Sequence, residues 1–124
     1  MIDAKTAEQI HSILIDEFGG SKGIRDLNGL NGALARPYGT SDGNDLYKNP
    51  LEKAAALFES LIISHPFIDG NKRISYVLMR LLLAEHGFSI NASQSEKYDF
   101  VIAASTGEIR FNEIHEWLLA HCKK

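Results

Sequence analysis

The sequence predicts an all-α domain. Apolar residues recur at three- and four-residue intervals in separate stretches along the chain. Residues that start and stop helices sit at the ends of those stretches. Outside residues 36–47, no run shows the alternation with period two that a half-buried strand requires.

Thr6 to Phe18 carries Ile10, Ile13, Leu14 and Phe18 at helical spacing, with Thr6 and Gln9 as a capping box and Gly19-Gly20 as its end. Most of the ten glycines follow within the next two dozen residues. In that region Leu30 to Ala35 predicts a short helix. Arg36 to Tyr47 reads as an exposed loop or hairpin turning at Asp42-Gly43. Leu51 to Ser64 predicts a strong helix, because Ala54, Leu57, Phe58, Leu61 and Ile62 form one stripe and Pro50 suits its first turn. Lys72 to His86 predicts the next. Ile74, Val77, Leu78, Leu81 and Leu82 line one side of it, and Met79 and Leu83 add apolar surface elsewhere, the pattern of a central helix closed by Gly87. Ser93 with Glu96 opens another helix through about Ser105. The last runs from about Asn112 to His121, with Ile114, Trp117 and Leu118 inward. No further strand, repeat or low-complexity segment is expected.

A chain of 124 residues, 44% hydrophobic and 23% charged, suits one domain (1–124) with a real core and is too apolar for wholesale disorder. A net charge of -3 and a pI near 5.9 argue against the basic face that nucleic-acid binding needs. Cys122 stands alone and has no internal disulfide partner. The first eighteen residues mix charged and apolar side chains, unlike a signal peptide, and the apolar runs are too short to span a membrane. The expectation is a cytoplasmic protein that engages neither membrane nor nucleic acid directly. Asn91-Ala92-Ser93 has the form of a glycosylation sequon, which without a secretion signal reads as chance.

The chemistry concentrates in residues 65–73, His-Pro-Phe-Ile-Asp-Gly-Asn-Lys-Arg. Pro66 stops the preceding helix and forces a turn. Lys72 resumes the helical pattern, so Asn71 is expected at the N-cap with Gly70 before it. Unpaired N–H groups and the positive dipole end at such a start form an anion site. Gly70 lets backbone approach a ligand closely. Arg73 can grip a phosphate with two N–H groups, and Lys72 adds a mobile charge. Asp69 would repel a bare phosphate, and makes sense as a Mg²⁺ ligand shared with phosphate oxygens. The His65 imidazole suits removal of a hydroxyl proton near neutral pH. Taken singly, each residue also has an ordinary use: His-Pro at a helix end, Asp-Gly-Asn in a turn, cations facing water. From the residues alone, a phosphate site and these structural uses both stay open.

The segment resembles the signature of the Fic/Doc (Fido) family, His-Pro-Phe-x-[Asp/Glu]-Gly-Asn-[Gly/Lys]-Arg. The likeness extends to Gly19-Gly20-Ser21, Gly23-Ile24-Arg25-Asp26, Ala35-Arg36-Pro37, Asp45-Leu46-Tyr47 and Thr106-Gly107-Glu108-Ile109, which resemble the short death-on-curing branch. The resemblance implies a Fic-fold helical bundle with a short β-hairpin flap. It implies that His65 is the catalytic base, that Asp69 binds Mg²⁺, and that Gly70, Asn71, Lys72 and Arg73 hold the phosphates of ATP. Phe67 would anchor the loop in the core. Arg36, Pro37, Tyr38, Asp45, Leu46 and Tyr47 would form a flap that aligns a target segment by strand addition.

Most Fic enzymes transfer AMP, with Gly at the position of Lys72 and a second Arg three residues after the first. Here Arg73 is followed by Ile74-Ser75-Tyr76. In the death-on-curing branch this pattern goes with reversed ATP and transfer of the γ-phosphoryl to a protein Ser or Thr. The resemblance therefore implies the toxin of a toxin–antitoxin pair, held by an antitoxin in trans. A translation factor would be its target, with elongation factor Tu first. AMP transfer with the same residues, and a catalytically idle peptide-binding module, are the alternatives. An inhibitory helix of the form [Ser/Thr]-x-x-x-Glu-[Gly/Asn] finds no match; Ser12 to Glu17 comes nearest.

Other features carry less. His115 and His121 are six apart, about 240° around a helix, and do not make a zinc pair. His11 and His86 read as isolated surface or partly buried residues. Cys122 beside Lys123 and Lys124 suggests either a mildly lowered thiol pKa or a frayed terminus, the frayed terminus being the better explanation.

Overall fold

The computed structural model describes residues 1–124. Its helices are α1 (Ala4–Phe18), α2 (Leu27–Ala35), α3 (Pro50–Ser64), α4 (Asn71–Glu85), α5 (Gln94–Ser105) and α6 (Phe111–His121). A 3₁₀ turn, Arg36–Tyr38, follows α2. Two small antiparallel sheets complete the fold: β1 (Thr40–Ser41) with β2 (Asn44–Asp45), and β3 (Ser89–Ile90) with β4 (Cys122–Lys123). The result is the expected helical fold with a short hairpin.

The stripe on α3 becomes the axis of the core. Ala54, Leu57, Phe58, Leu61 and Ile62 are all buried, and α3 packs against α4, α6, α2 and the 3₁₀ turn. Asn49 caps its start, accepting the Glu52 N–H, with Pro50 at the first helical position. On α4, Met79 and Leu83 are as buried as Ile74, Leu78 and Leu82, so that helix is covered on two sides. The Ser93–Glu96 capping box opens α5. Trp117 stacks on Phe100 with centroids 3.9 Å apart, and Ile114 and Leu118 are fully buried. No helix is long and apolar enough to cross a membrane.

Two expectations fail outright: a strand pair beyond the hairpin does exist, β3 with β4, and His11 is fully buried rather than a surface or partly buried residue. Three more need correction. Helix α1 starts earlier than the Thr6–Gln9 pattern implies, because Asp3 is the cap and accepts the Thr6 N–H. Its buried face is turned from the apparent stripe: Ala7, His11 and Ile15 face inward, while Ile13 and Phe18 are exposed. The C-terminus is not frayed either. β4 pairs with β3, and Asn91 N–H donates to the His121 carbonyl, so Cys122 is half-buried and burial pushes its thiol pKa up rather than down.

Glu59 joins three elements. It is buried on α3, and its Oε1 accepts from Arg36 Nη1 at 2.7 Å. Its Oε2 accepts from Arg110 Nε at 3.0 Å and from the Phe111 N–H at 2.6 Å. Burial pushes this carboxyl up. The bonds from Arg36 and Arg110, the Arg36 charge and the Phe111 N–H outweigh that, and hold it below the ordinary value of 4.5. A depressed folded pKa contributes stability that is present above the unfolded pKa and lost as pH falls through the folded one. Melting temperature followed from pH about 6 to about 3 is expected to fall in the acid limb. Glu59→Gln is expected to start lower and to show a shallower fall there.

Candidate active site

The nine-residue segment leaves α3 through His65, whose backbone takes the left-handed conformation (φ 47, ψ 58). A non-glycine residue there carries a cost of roughly 1–2 kcal/mol. The strap of residues 21–26 over-determines it. Arg25 Nε donates to the His65 carbonyl at 2.9 Å, and its Nη2 donates to the Ser64 carbonyl at 2.7 Å. The N–H groups of Arg25 and Asp26 both donate to the Pro66 carbonyl, and Ile68 N–H donates to the Gly23 carbonyl. The chemistry-bearing loop is therefore laid along the strap by backbone bonds.

Phe67 is fully buried and holds the middle of the loop in the core. Asn71 behaves differently from its sequence expectation as the N-cap. Gly70, left-handed at φ 72, is the cap and has no side chain to use. The Asn71 side chain instead turns back onto Phe67. Its Oδ1 accepts the Phe67 N–H at 3.0 Å, and its Nδ2 donates to the Phe67 carbonyl at 3.0 Å. The first bond of the α4 ladder runs from Ile74 N–H to the Gly70 carbonyl. The amides of Asn71, Lys72 and Arg73 lie ahead of that ladder, as the first N–H groups of any helix do. Asn71 thus offers a ligand its backbone, not its side chain.

Asp69 is held beside that turn. Its Oδ1 accepts the Gly70 N–H at 2.8 Å and its Oδ2 accepts the Ser21 N–H at 3.1 Å. Gly20 makes room for it, since a Cβ there would sit 2.7 Å from Asp69 Oδ2. Each carboxylate oxygen keeps a second acceptor position. No cluster of three His, Cys, Asp or Glu surrounds it. One carboxylate beside free amides fits Mg²⁺, which takes one or two carboxylates and completes its shell with phosphate oxygens and water.

His65, Asp69, Gly70, Asn71, Lys72 and Arg73 line one open cavity of about 360 Å³, together with Ile68. The structure thus brings all six together. Lys72 and Arg73 also border a second cavity of about 380 Å³ between α4 and α5, walled by Tyr76, Val77, Tyr98, Val101 and Ile102. Such a space offers apolar and aromatic surface to a planar base, with cations on the side where phosphates would leave it. The Arg73 guanidinium stacks over Phe18, 4.2 Å from the ring centroid.

The flap residues divide. Arg36 is turned inward: besides Glu59 it donates to Tyr47 Oη at 2.9 Å and Ser60 Oγ at 3.0 Å. Pro37 is buried, and the Tyr47 carbonyl accepts from Lys53. Arg36, Pro37 and Tyr47, expected to face a target, instead anchor the base of the hairpin to α3. Tyr38 is half-buried. Asp45 and Leu46 remain exposed with the β1–β2 edge. Arg25 and Ser21, which hold the loop backbone and the Asp69 carboxylate, and His11, whose Nε2 lies 2.7 Å from the Asp69 carbonyl oxygen, are contacts that residue-by-residue reading misses. Only the glycine-rich pattern around Arg25 hints at them.

The sequence profile of the Fic/DOC family matches residues 1–83. The chain belongs to this family. The match covers the strap, the hairpin, the loop and most of α4, and leaves out α5 and α6. Toxin Doc of Mycolicibacterium smegmatis is 40% identical over 75 residues, 60% of this chain and 58% of that protein. Protein adenylyltransferase fic-1 of Caenorhabditis elegans is 31% identical over 74 residues, 56% of this chain and 15% of that protein. Protein adenylyltransferase Fic of Drosophila grimshawi is 38% identical over 66 residues, 50% of this chain and 14% of that protein. The chain therefore spans less than two thirds of the Doc toxin and a small part of the adenylyltransferases.

Proposed function

We propose that this Fic/DOC-family protein is a toxin that transfers the γ-phosphoryl group of ATP to a Ser or Thr hydroxyl of another protein. The observation that carries this is the single cavity in which His65, the Asp69 carboxylate and the free first turn of α4 meet. In the proposed reaction the amides of Asn71, Lys72 and Arg73, with the Lys72 and Arg73 side chains, bind the phosphates. Asp69 would hold Mg²⁺, which neutralises phosphate charge when bound. His65 takes the proton of the attacking hydroxyl. The hydroxyl oxygen bonds to the γ-phosphorus, the bond to the β-phosphate oxygen breaks, and ADP leaves. The exposed hairpin edge would pair with an extended target segment.

The second reading is AMP transfer, in which the α-phosphorus faces His65 and pyrophosphate leaves. The names of the adenylyltransferase relatives and the α4–α5 cavity, which can seat a nucleoside beside Lys72 and Arg73, favour it. Lys72 in place of glycine and Tyr76 in place of a second arginine favour γ-phosphoryl transfer, as does the likeness to a Doc toxin. Partners consistent with that likeness are an antitoxin supplied in trans and a target in the translation machinery, for which elongation factor Tu is the first candidate.

Melting temperature with and without Mg-ATP tests the nucleotide part. A ligand selective for the folded state and present at a hundred times its Kd stabilises by ~2.7 kcal/mol, so a rise of several degrees is expected. Asp69→Asn is expected to remove the part of the rise that requires Mg²⁺. An unchanged melting temperature at millimolar Mg-ATP would favour the idle peptide-binding module instead.

A further inference from the structure

We infer that His11 is a positioning residue that holds the Asp69–Gly70 peptide with its carbonyl turned toward α1 and away from the phosphate space; the inference rests on the nucleotide reading above. His11 lies on the buried face of α1 and is only 1% exposed. Its ring stacks on Phe67, with centroids 4.1 Å apart and planes 11° from parallel. Its Nε2 lies 2.7 Å from the Asp69 carbonyl oxygen. A carbonyl only accepts, so Nε2 carries the proton and donates.

The consequence follows from peptide geometry. The Asp69 carbonyl and the Gly70 N–H belong to one planar unit and point in opposite directions. Holding the oxygen toward α1 sends the N–H the other way, where it meets Asp69 Oδ1 at 2.8 Å. Glycine gives that peptide the least resistance to rotation, and Gly70 is in the left-handed region at φ 72. Rotated, the unit would turn a carbonyl dipole toward the space ahead of the Asn71, Lys72 and Arg73 amides and oppose a phosphate there. It would also release the Asp69 carboxylate from the Gly70 N–H. The stack on Phe67 seats the imidazole, and the Nε2 proton selects the orientation. A leucine at position 11 would fill the space without selecting it.

The test compares wild type with His11→Leu, His11→Gln and His11→Asn. The Gln amide nitrogen falls near the place of Nε2, and the Asn amide is too short to reach it. Melting temperature reads folding, and calorimetric titration with inorganic pyrophosphate and with Mg-ATP reads the site. His11→Leu is expected to remain folded and to bind both probes about tenfold more weakly, as loss of one buried hydrogen bond implies. His11→Gln is expected to recover most of the affinity. In wild-type protein labelled with ¹⁵N-histidine, the His11 ring is expected as the Nε2–H tautomer. Wild-type affinity in a folded His11→Leu protein, or an Nδ1–H tautomer in wild type, would overturn the inference. Where the leucine variant does not fold, the amide pair decides: equal affinities for Gln and Asn overturn it, and a Gln advantage supports it. A wild-type protein that binds neither probe would sink the nucleotide reading and this inference with it. Wild-type binding with an unaffected leucine variant would sink this inference alone.

Discussion

Replacing His65 with alanine is expected to lower protein labelling from ATP by about a hundredfold or more, the usual contribution of a positioned general base. ATP binding and fold are expected to survive. The His65 imidazole is exposed at the edge of the cavity and makes no hydrogen bond within the chain, so its removal leaves no buried partner unsatisfied. What holds the residue in its left-handed conformation is backbone: its carbonyl takes Arg25, and its N–H donates to the Leu61 carbonyl at 3.3 Å. Alanine keeps both bonds. Melting temperature and its Mg-ATP increment are therefore expected to match wild type within a degree or two, while transfer is lost. A variant that still transfers at the wild-type rate would remove His65 from the chemistry.

Asn71→Ala is expected to act in the opposite way, through stability first. The side chain is the partner of both the N–H and the carbonyl of Phe67, whose ring is fully buried. A buried backbone group left unpaired costs about 1–3 kcal/mol. Two such groups in a half-buried turn give about 2–4 kcal/mol, which urea or thermal unfolding reads directly. Loosening of Phe67 would also loosen the loop between His65 and Gly70, so the Mg-ATP increment should shrink in the protein that remains folded. An Asn71→Ala protein with wild-type stability would show that the clasp on Phe67 contributes nothing.

Much of this was legible in the residues, and the parts that were not share a cause. The α3 and α4 stripes, the Ser93–Glu96 box and the Asp42-Gly43 turn are local signals, and local signals place helices and hairpins. The residue types of the 65–73 loop raised a phosphate site only as one of two open readings, and its resemblance to the Fic/Doc signature supplied the individual roles. Asn71 was misplaced because asparagine favours an N-cap, and that preference loses to the need of the Phe67 backbone for partners. Only the folded loop creates that need. Helix α1 looked rotated because Ile13 and Phe18 fit an apolar stripe, whereas the inward face is set by His11 and Ile15 meeting residues far along the chain. Strands of two residues, such as β3 and β4, are too short to show a period. Arg36 and Tyr47 were placed on a target-facing flap by the family resemblance, and nothing local to them signals that a buried carboxylate, Glu59, waits on α3.

The most direct measurement supplies ATP labelled on either the α- or the γ-phosphate to the protein in a bacterial lysate, with His65→Ala as control. Label appearing on protein only from the γ form, and lost in the variant, is the predicted result. Label entering protein from the α form would contradict γ-phosphoryl transfer and establish AMP transfer at the same site.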